Sequence, residues 1–482
     1  MQTHLDSWQL GQEVQIKVDK AIQGGKFMGT APDGKVAWLK SPMPLALGEL
    51  VTTRVSKLAK RSYELEVITI DEVSEHRVAP FCPQVDHCGG CPWQALSTDE
   101  QVKSLSRDIM RMIERAVGQP TQWLAPFSDK EQAWRHTARL HSDGKGKLGF
   151  YGPQGLLDIK QCPVFTPNLN AILQDARSLI PLLNEAPSEI RISIAEKHSS
   201  GTLTLELHGI WPTLSIQSLQ KALAQLIQSS SSLHGARLIA HREDLILKAT
   251  IKSKSDRRQN RPKNKKNRNT SKHLARRTKK NKHSSSSASL HDSPLQIVDR
   301  IWGQAHNQLA TASHPASAFM QAHQRGNVAL VNEVIKGAEE ALMILELYAG
   351  SGNFTLPLAK AHPQRQVFAL EYDQTAVTSL NQYAQQEQLN IKAQAQNIAS
   401  LPQGDFDHII LDPPRAGAAP IIQALADSNA KYITYISCHP AALARDLEKL
   451  CKQGWFIESA KLFHLFPHSG HAEVYCRLSK NH

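Results

Sequence analysis

No run of about 18 apolar residues occurs in this 482-residue chain, so nothing in it reads as a membrane-spanning helix. The amino terminus, Met1-Gln2-Thr3-His4-Leu5-Asp6-Ser7-Trp8, lacks the basic and apolar regions of a secretion signal, which points to a cytoplasmic location. Cysteine is scarce. Its seven residues, odd in number and unevenly spaced, argue against a disulfide framework and for metal or catalytic thiols. No internal repeat of about 20–50 residues is present, so a solenoid is excluded. Acids are almost missing from 252–282, where fifteen Lys or Arg stand against Asp256 alone. That stretch carries +14 while the chain carries +12, which leaves −2 for everything else. The basicity belongs to one segment and not to the folded surfaces.

What is present is enough for real cores: 41% of residues are hydrophobic, and the length suggests about three domains. Residues 9–71 read as a small all-β module. Val14, Ile16 and Val18 alternate, as do Val36, Trp38 and, more loosely, Leu39, then 51–55 and 65–70, with turns at Gly24-Gly25, Pro32-Asp33-Gly34 and Leu47-Gly48. Five short strands of this kind suggest an OB-like barrel, a shape often used to grip RNA. Residues 72–325 are mixed: a cysteine-rich loop at 82–91, helices near 97–117, 168–180 and 216–229, and strands near 137–142, 147–151, 189–196 and 202–209. Within them 252–291 is of low complexity, first Lys/Arg/Asn and then serine. Such a segment buries too little apolar area to offset its ordering entropy and reads as a disordered insertion that contacts nucleic acid electrostatically. From 326 to 482 helix and strand alternate, the pattern of a doubly wound parallel sheet.

In an open parallel sheet, ligands bind beyond the carboxyl ends of the strands. After the first strand of this region comes Glu346-Leu347-Tyr348-Ala349-Gly350-Ser351-Gly352-Asn353, a glycine loop leading into a helix. After the second comes Glu371, an acid placed to accept hydrogen bonds from a ribose diol. An adenosine-type cofactor follows, and S-adenosylmethionine is favoured over NAD because the third glycine of the dinucleotide fingerprint is missing. The strand 409–411 ends in Asp412-Pro413-Pro414-Arg415, whose prolines make a rigid turn that aims Asp412 into the cleft. Cys438 ends the next strand and precedes a helix with Pro440 in its first turn, where unpaired N–H groups lend a thiol thiolate character. If the closing segments form a hairpin, Glu473 begins an antiparallel strand at that same edge. The second cysteine group is Cys82, Cys88 and Cys91, with Cys162 farther on. Three thiols in ten residues, with Gly89-Gly90 relieving the turn, suggest a four-cysteine metal site, open to zinc or an iron–sulfur cluster.

These residues resemble the bacterial RNA uracil-C5-methyltransferases, in particular the branch with an iron–sulfur cluster that modifies 23S ribosomal RNA. The resemblance runs almost end to end apart from the basic insertion. It rests on Cys-x₅-Cys-Gly-Gly-Cys with a distant Cys-Pro, on Phe319-Met320-Gln321, on the glycine loop, and on Asp412-Pro413-Pro414-Arg415. It rests further on Ser437-Cys438-x-Pro440 and His468-x-x-His471-x-Glu473. It implies a multidomain α/β chain: an OB-like TRAM barrel, a central α+β cluster-bearing domain, and a Rossmann-like class I methyltransferase domain. It implies a 4Fe–4S cluster on Cys82, Cys88, Cys91 and Cys162, with S-adenosylmethionine contacts from Gln321, Tyr348, Asn353, Glu371, Asn397 and Asp412. Phe319 would lie near the target base. Cys438 would add to C6 of uracil and Glu473 would remove the C5 proton.

Two positions depart from the family pattern. His323 and His439 stand where asparagine is usual, and either imidazole could alter base recognition or cofactor fit. The alternatives are transfer RNA as substrate, or a catalytically silent RNA-binding or ribosome-assembly paralogue. A monomer is the default oligomeric state.

Overall fold

The computed structural model describes residues 7–143, 145–183, 190–197, 200–207, 213–242, 245–252, 321–480 and the short pairs 296–297, 304–305, 308–309 and 314–315. The basic insertion beyond Lys252 lies outside the described residues, as does Phe319.

The first sheet holds six strands and not five: β1 (Glu13–Lys17), β2 (Lys20–Ile22), β3 (Lys26–Thr30), β4 (Val36–Lys40), β5 (Leu50–Ala59) and β6 (Ser62–Glu72), in the order β1-β5-β6-β4-β3-β2. Only β4 and β6 run parallel. Just past β1 the chain crosses β3, where the Asp19 N–H donates to the Met28 carbonyl at 2.9 Å. Gly29 permits that crossing, because a Cβ there would lie 2.4 Å from the Lys17 carbonyl oxygen. In β4 the face carrying Val36 and Trp38 is the less buried one. Ala37 and Leu39 are buried and Trp38 is half-exposed. A small and a medium side chain fit the tapered interior, while the indole lies along the outside.

The middle sheet has the order β13-β12-β11-β10-β7-β8-β9. Its strands are β7 (Thr137–Ser142), β8 (Leu148–Gly152), β9 (Gly155–Asp158), β10 (Ile190–Lys197), β11 (Ser200–Leu207), β12 (Leu233–Arg242) and β13 (Leu245–Lys252). Helix α1 (Val85–Cys88) lies in the cysteine loop, and α2 (Thr98–Val117) follows it. Helices α3 (Pro167–Arg177) and α4 (Thr213–Ser229) come later. Helix α2 begins at Ser97, whose hydroxyl accepts the Glu100 N–H, and ends at Gly118 with φ +73°. Its stripe Leu105, Ile109 and Ile113 is fully buried at helical spacing. That stripe joins barrel residues such as Val51 and Leu65 to Leu345, Tyr435 and Leu447 of the last sheet in one continuous apolar core.

The last sheet contains β14 (Met343–Leu347), β15 (Gln366–Glu371), β16 (Ile391–Ala395), β17 (His408–Leu411), β18 (Tyr432–Ser437), β19 (Trp455–Phe466) and β20 (His471–Lys480). Their order is β16-β15-β14-β17-β18-β20-β19. The first five are parallel, and β20 is inserted antiparallel between β18 and β19. Intervening helices are α5 (Gln324–Gly337), α6 (Thr355–Ala361), α7 (Gln374–Gln386), α8 (Ile422–Ala426) and α9 (Pro440–Lys452). The free edge of β19 is covered by residues 122–127, whose backbone bonds to Ala460 and Leu462. Among the described residues no helix is long and apolar enough to cross a membrane.

Candidate active site

Every strand end named from the sequence reaches one edge of the last sheet. At the end of β14 the chain turns through Tyr348 with φ +62°, then Gly350 and Gly352. Gly352 is required twice over, by φ +90° and by Leu380, which a Cβ would meet at 2.8 Å. The loop is tied to the end of β15: the Gly350 N–H donates to Oε2 of Glu371 at 2.8 Å, and Oε1 accepts from Tyr372 and Asp373. Asn353 pairs amide to amide with Asn327 of α5, both bonds at 3.0 Å. Asn397 lies exposed just past β16, next to Gln396, whose N–H donates to the Glu371 carbonyl at 2.8 Å. Beneath the loop, Glu346 is fully buried and bonded by the Thr355 hydroxyl. Burial pushes its carboxyl up to about 8, against the Thr355 bond and helped by the nearby charges of Asp412 and Glu371. The sequence reading gave Glu346 no role, although it opens the glycine-loop motif.

Cys438, Asp412 and Glu473 come together at the ends of β17, β18 and β20. Ser437 pairs with Val474, so Cys438 and Glu473 follow one another across the strand ends. The turn that carries Asp412 and Arg415 is pinned from below. Oδ2 of the buried Asp446 accepts from the Ala418 N–H at 2.7 Å and from the Tyr435 hydroxyl at 2.8 Å. Burial pushes the Cys438 thiol up, and Glu473 pushes it further, while a hydrogen bond from Arg415 pulls it down. This corrects the expectation of a thiolate favoured by the helix terminus. The first turn of α9 is already capped, because Nδ1 of His439 accepts the Ala442 N–H at 3.2 Å. Burial and then Asp412 raise the Glu473 carboxyl well above the usual range, opposed by the Gln321 amide, which donates to it. Burial likewise raises Asp412. Oε2 of Glu473 and Oε1 of the equally buried Gln321 have no hydrogen-bond partner within the protein. Arg415 is the residue the sequence reading passed over: an exposed cation beside the thiol, visible only as the last letter of its motif.

His323 and His439 are both helix N-caps. Nδ1 of His323 accepts the Gly326 N–H at 3.0 Å, starting α5, and the ring stacks on Trp134 at 5.4 Å. Burial holds His323 down to about 4, so it stays neutral and able to accept. An asparagine oxygen would serve the same N–H groups, so both departures from the family pattern preserve capping.

The other cysteines gather between the loop 82–91, the β8–β9 hairpin and the start of α3. Cys82, Cys88, Cys91 and Cys162 are all half-buried free thiols. Burial, then the charge of Cys162, pushes Cys91 up to about 12. Burial pushes Cys162 up to about 11, eased by the N–H groups of Val164 and Phe165. Cys88 is raised by burial and eased by the Gly90 N–H. Arg135 is the nearby cation, acting on Cys88, Cys91 and Cys162. Among the described residues no three His, Cys, Asp or Glu side chains are arranged to hold a single metal ion.

A family model described as tRNA (Uracil-5-)-methyltransferase matches residues 393–481, and one described as Methyltransferase small domain matches 319–433. The 23S rRNA (uracil(1939)-C(5))-methyltransferase of Vibrio cholerae is 27% identical over 442 residues, covering 88% of this chain and 87% of that protein. The protein of the same name from Shewanella halifaxensis is 27% identical over 485 residues, covering 97% and 96%. The fold is shared with the tRNA (uracil-54, C5)-methyltransferase of Pyrococcus abyssi, solved with S-adenosyl-L-homocysteine. The TM-score is 0.66 at 18% identity, over 96% of this chain and 100% of that one. Both models meet on the sheet whose edge gathers the thiol and its acids, and the full-length relatives extend the match through the barrel and the cysteine loop. Over almost its whole length the chain is similar to the RNA uracil-C5-methyltransferases.

Proposed function

We propose that this protein methylates C5 of a uridine in RNA, with 23S ribosomal RNA as the substrate and S-adenosylmethionine as the methyl donor. The observation that carries this reading is the Cys438 thiol between Glu473 and Arg415 at the edge that also holds the glycine loop. Glu371, Asp412 and Glu473 bring acidic side chains to that cleft, and burial raises the last two. A cationic sulfonium would favour their ionised forms, whereas the diphosphate of a dinucleotide would oppose them. Gln321, Tyr348, Asn353, Glu371, Asn397 and Asp412 would line the donor, which supplies an electrophilic methyl group when bound. Asn353 would act through its backbone and loop position, since its amide is engaged with Asn327.

Uracil C5 is a weak nucleophile. Cys438, its proton lost to solvent and its thiolate favoured by Arg415, would add to C6 and place electron density on C5, which takes the methyl group. Glu473 would then accept the C5 proton, the C5=C6 bond would reform, and the sulfur–C6 bond would break to return the thiolate. The base must leave its stack to reach Cys438, so a loop or single strand is the natural target. Residues 9–71, read as a TRAM barrel, would grip that RNA.

Cys82, Cys88, Cys91 and Cys162 would hold a 4Fe–4S cluster. Backbone N–H groups aimed at sulfur and the half-buried Arg135 suit an anionic cluster. A brown protein absorbing near ~400 nm supports that assignment, and a colourless zinc protein overturns it.

The decisive experiment is RNA containing 5-fluorouridine, incubated with cofactor and resolved under denaturing conditions. Wild type is expected to form a covalent complex and Cys438→Ala none; no complex from wild type removes the proposal. Mapping 5-methyluridine in ribosomal and transfer RNA from a deletion strain distinguishes the substrates. No loss in either pool would favour a silent paralogue.

A further inference from the structure

The strand that carries Glu473 is held from outside its own sheet. The turn Pro467-His468-Ser469-Gly470 joins β19 to β20, and three separate segments grip it. The His468 N–H donates to Oε1 of Gln101 on α2 at 2.8 Å, and Nε2 of the same amide meets Nδ1 of His468 at 3.0 Å. The Trp93 N–H donates to the His468 carbonyl at 3.0 Å, and the Gly24 N–H, from the barrel, donates to the Gly470 carbonyl at 2.8 Å. Gly470 and Gly25 pass so closely that a Cβ on Gly470 would lie 2.3 Å from the Gly25 nitrogen. Gln101 is 0% exposed and His468 2%, so neither exchanges this pairing for water.

The pairing has one consistent protonation. An amide nitrogen only donates, so Nδ1 accepts and the ring proton sits on Nε2, facing the Glu131 carbonyl at 3.2 Å. His468 itself has φ +68°, a left-handed conformation that an L residue keeps only when its surroundings impose it.

The ladder between β19 and β20 does not by itself aim Glu473. Phe463 pairs with Glu473 and Phe466 with His471, so His464 and Leu465 together face Ala472. A bulge of this kind bends the strand and re-aims its side chains. With the register broken beside Glu473, the direction of its carboxylate depends on where the turn is pinned.

We infer that Gln101 is a positioning residue for Glu473, acting through the His468 turn, and that it serves the release half of the reaction. This rests on the mechanism proposed above. Addition of the Cys438 thiolate to C6 and methyl transfer to C5 use groups on β17 and β18, which the turn does not hold. Release uses Glu473: its carboxylate takes the C5 proton, the C–H electron pair forms C5=C6, and the C6–S pair returns to Cys438.

The test is a single-turnover reaction with uridine-containing RNA and methyl-labelled cofactor, following the denaturation-stable adduct over time. In Gln101→Leu, adduct formation is expected within about twofold of wild type, while its decay slows ~10–100-fold, so a methylated adduct accumulates. Gln101→Glu keeps the acceptor for the His468 N–H and is expected to recover part of the decay rate. If Gln101→Leu does not fold, Gln101→Asn, which keeps the amide but is one methylene too short, gives the same comparison. Formation and decay falling together, or both staying at wild-type rates, overturns the inference. Failure of wild type to form the 5-fluorouridine complex overturns the mechanism as well, and so tells the two failures apart.

Discussion

At Cys438 opposing influences meet. Burial and the charge of Glu473 favour the neutral thiol, and Arg415 favours the thiolate. Attack on C6 needs the thiolate, so its rate rises as pH rises through the thiol's raised pKa. Arg415→Gln removes the one side chain that lowers that pKa. Adduct formation is then expected to fall about tenfold near neutral pH, the scale of one charge-assisted hydrogen bond, ~1.5–3 kcal/mol. The two rate curves should converge at high pH, where both thiols are ionised; a uniform loss at every pH would show that Arg415 acts on RNA and not on sulfur. Glu473 differs in kind. Burial and Asp412 raise its pKa, so as the base in release it too gains function as pH rises. Glu473→Gln is expected to lower turnover ~10²–10⁴-fold while the adduct accumulates, read by gel.

Among the elements, helix starts matter most to the site, because α5, α6 and α9 all begin at the ligand edge. His439 and His323, where the family resemblance leads asparagine to be expected, accept helix N–H groups. His439→Asn is therefore expected to be close to neutral, and His439→Ala to cost about 0.5–2 kcal/mol by thermal unfolding. A large gain in activity from His439→Asn would instead mean that the imidazole obstructs the site. The same helices and strands were largely legible from periodicity, with ends within a few residues for α2, β7, β14, β18 and α9. Less legible were β16 and the pair β12 and β13. Ile391-Lys392-Ala393-Gln394-Ala395 is an edge strand with one polar face and little apolar signal. In β4 the alternation left open which face is buried, and packing puts Ala37 and Leu39 inside with Trp38 half-exposed.

For the whole molecule, charge and core are distributed independently. The apolar core runs unbroken from the barrel through α2 to the last sheet, whereas the positive charge is concentrated in 252–282. Deleting 253–291 is expected to leave the thermal midpoint unchanged, weaken RNA binding, and flatten its dependence on salt. An unchanged salt slope would remove the segment's electrostatic role. What the chain determined locally was the alternation of helix and strand, the strand-end motifs at Glu371, Asp412 and Cys438, and the cysteine spacing. Each depends on residues close in sequence, where periodicity and turn chemistry act. Tertiary structure alone decided that burial raises the Cys438 thiol, that Arg415 touches it, and that Gln101 grips the turn before Glu473. Burial, the charges around a buried group, and contact across 367 positions are properties of packing, and no window of sequence contains them.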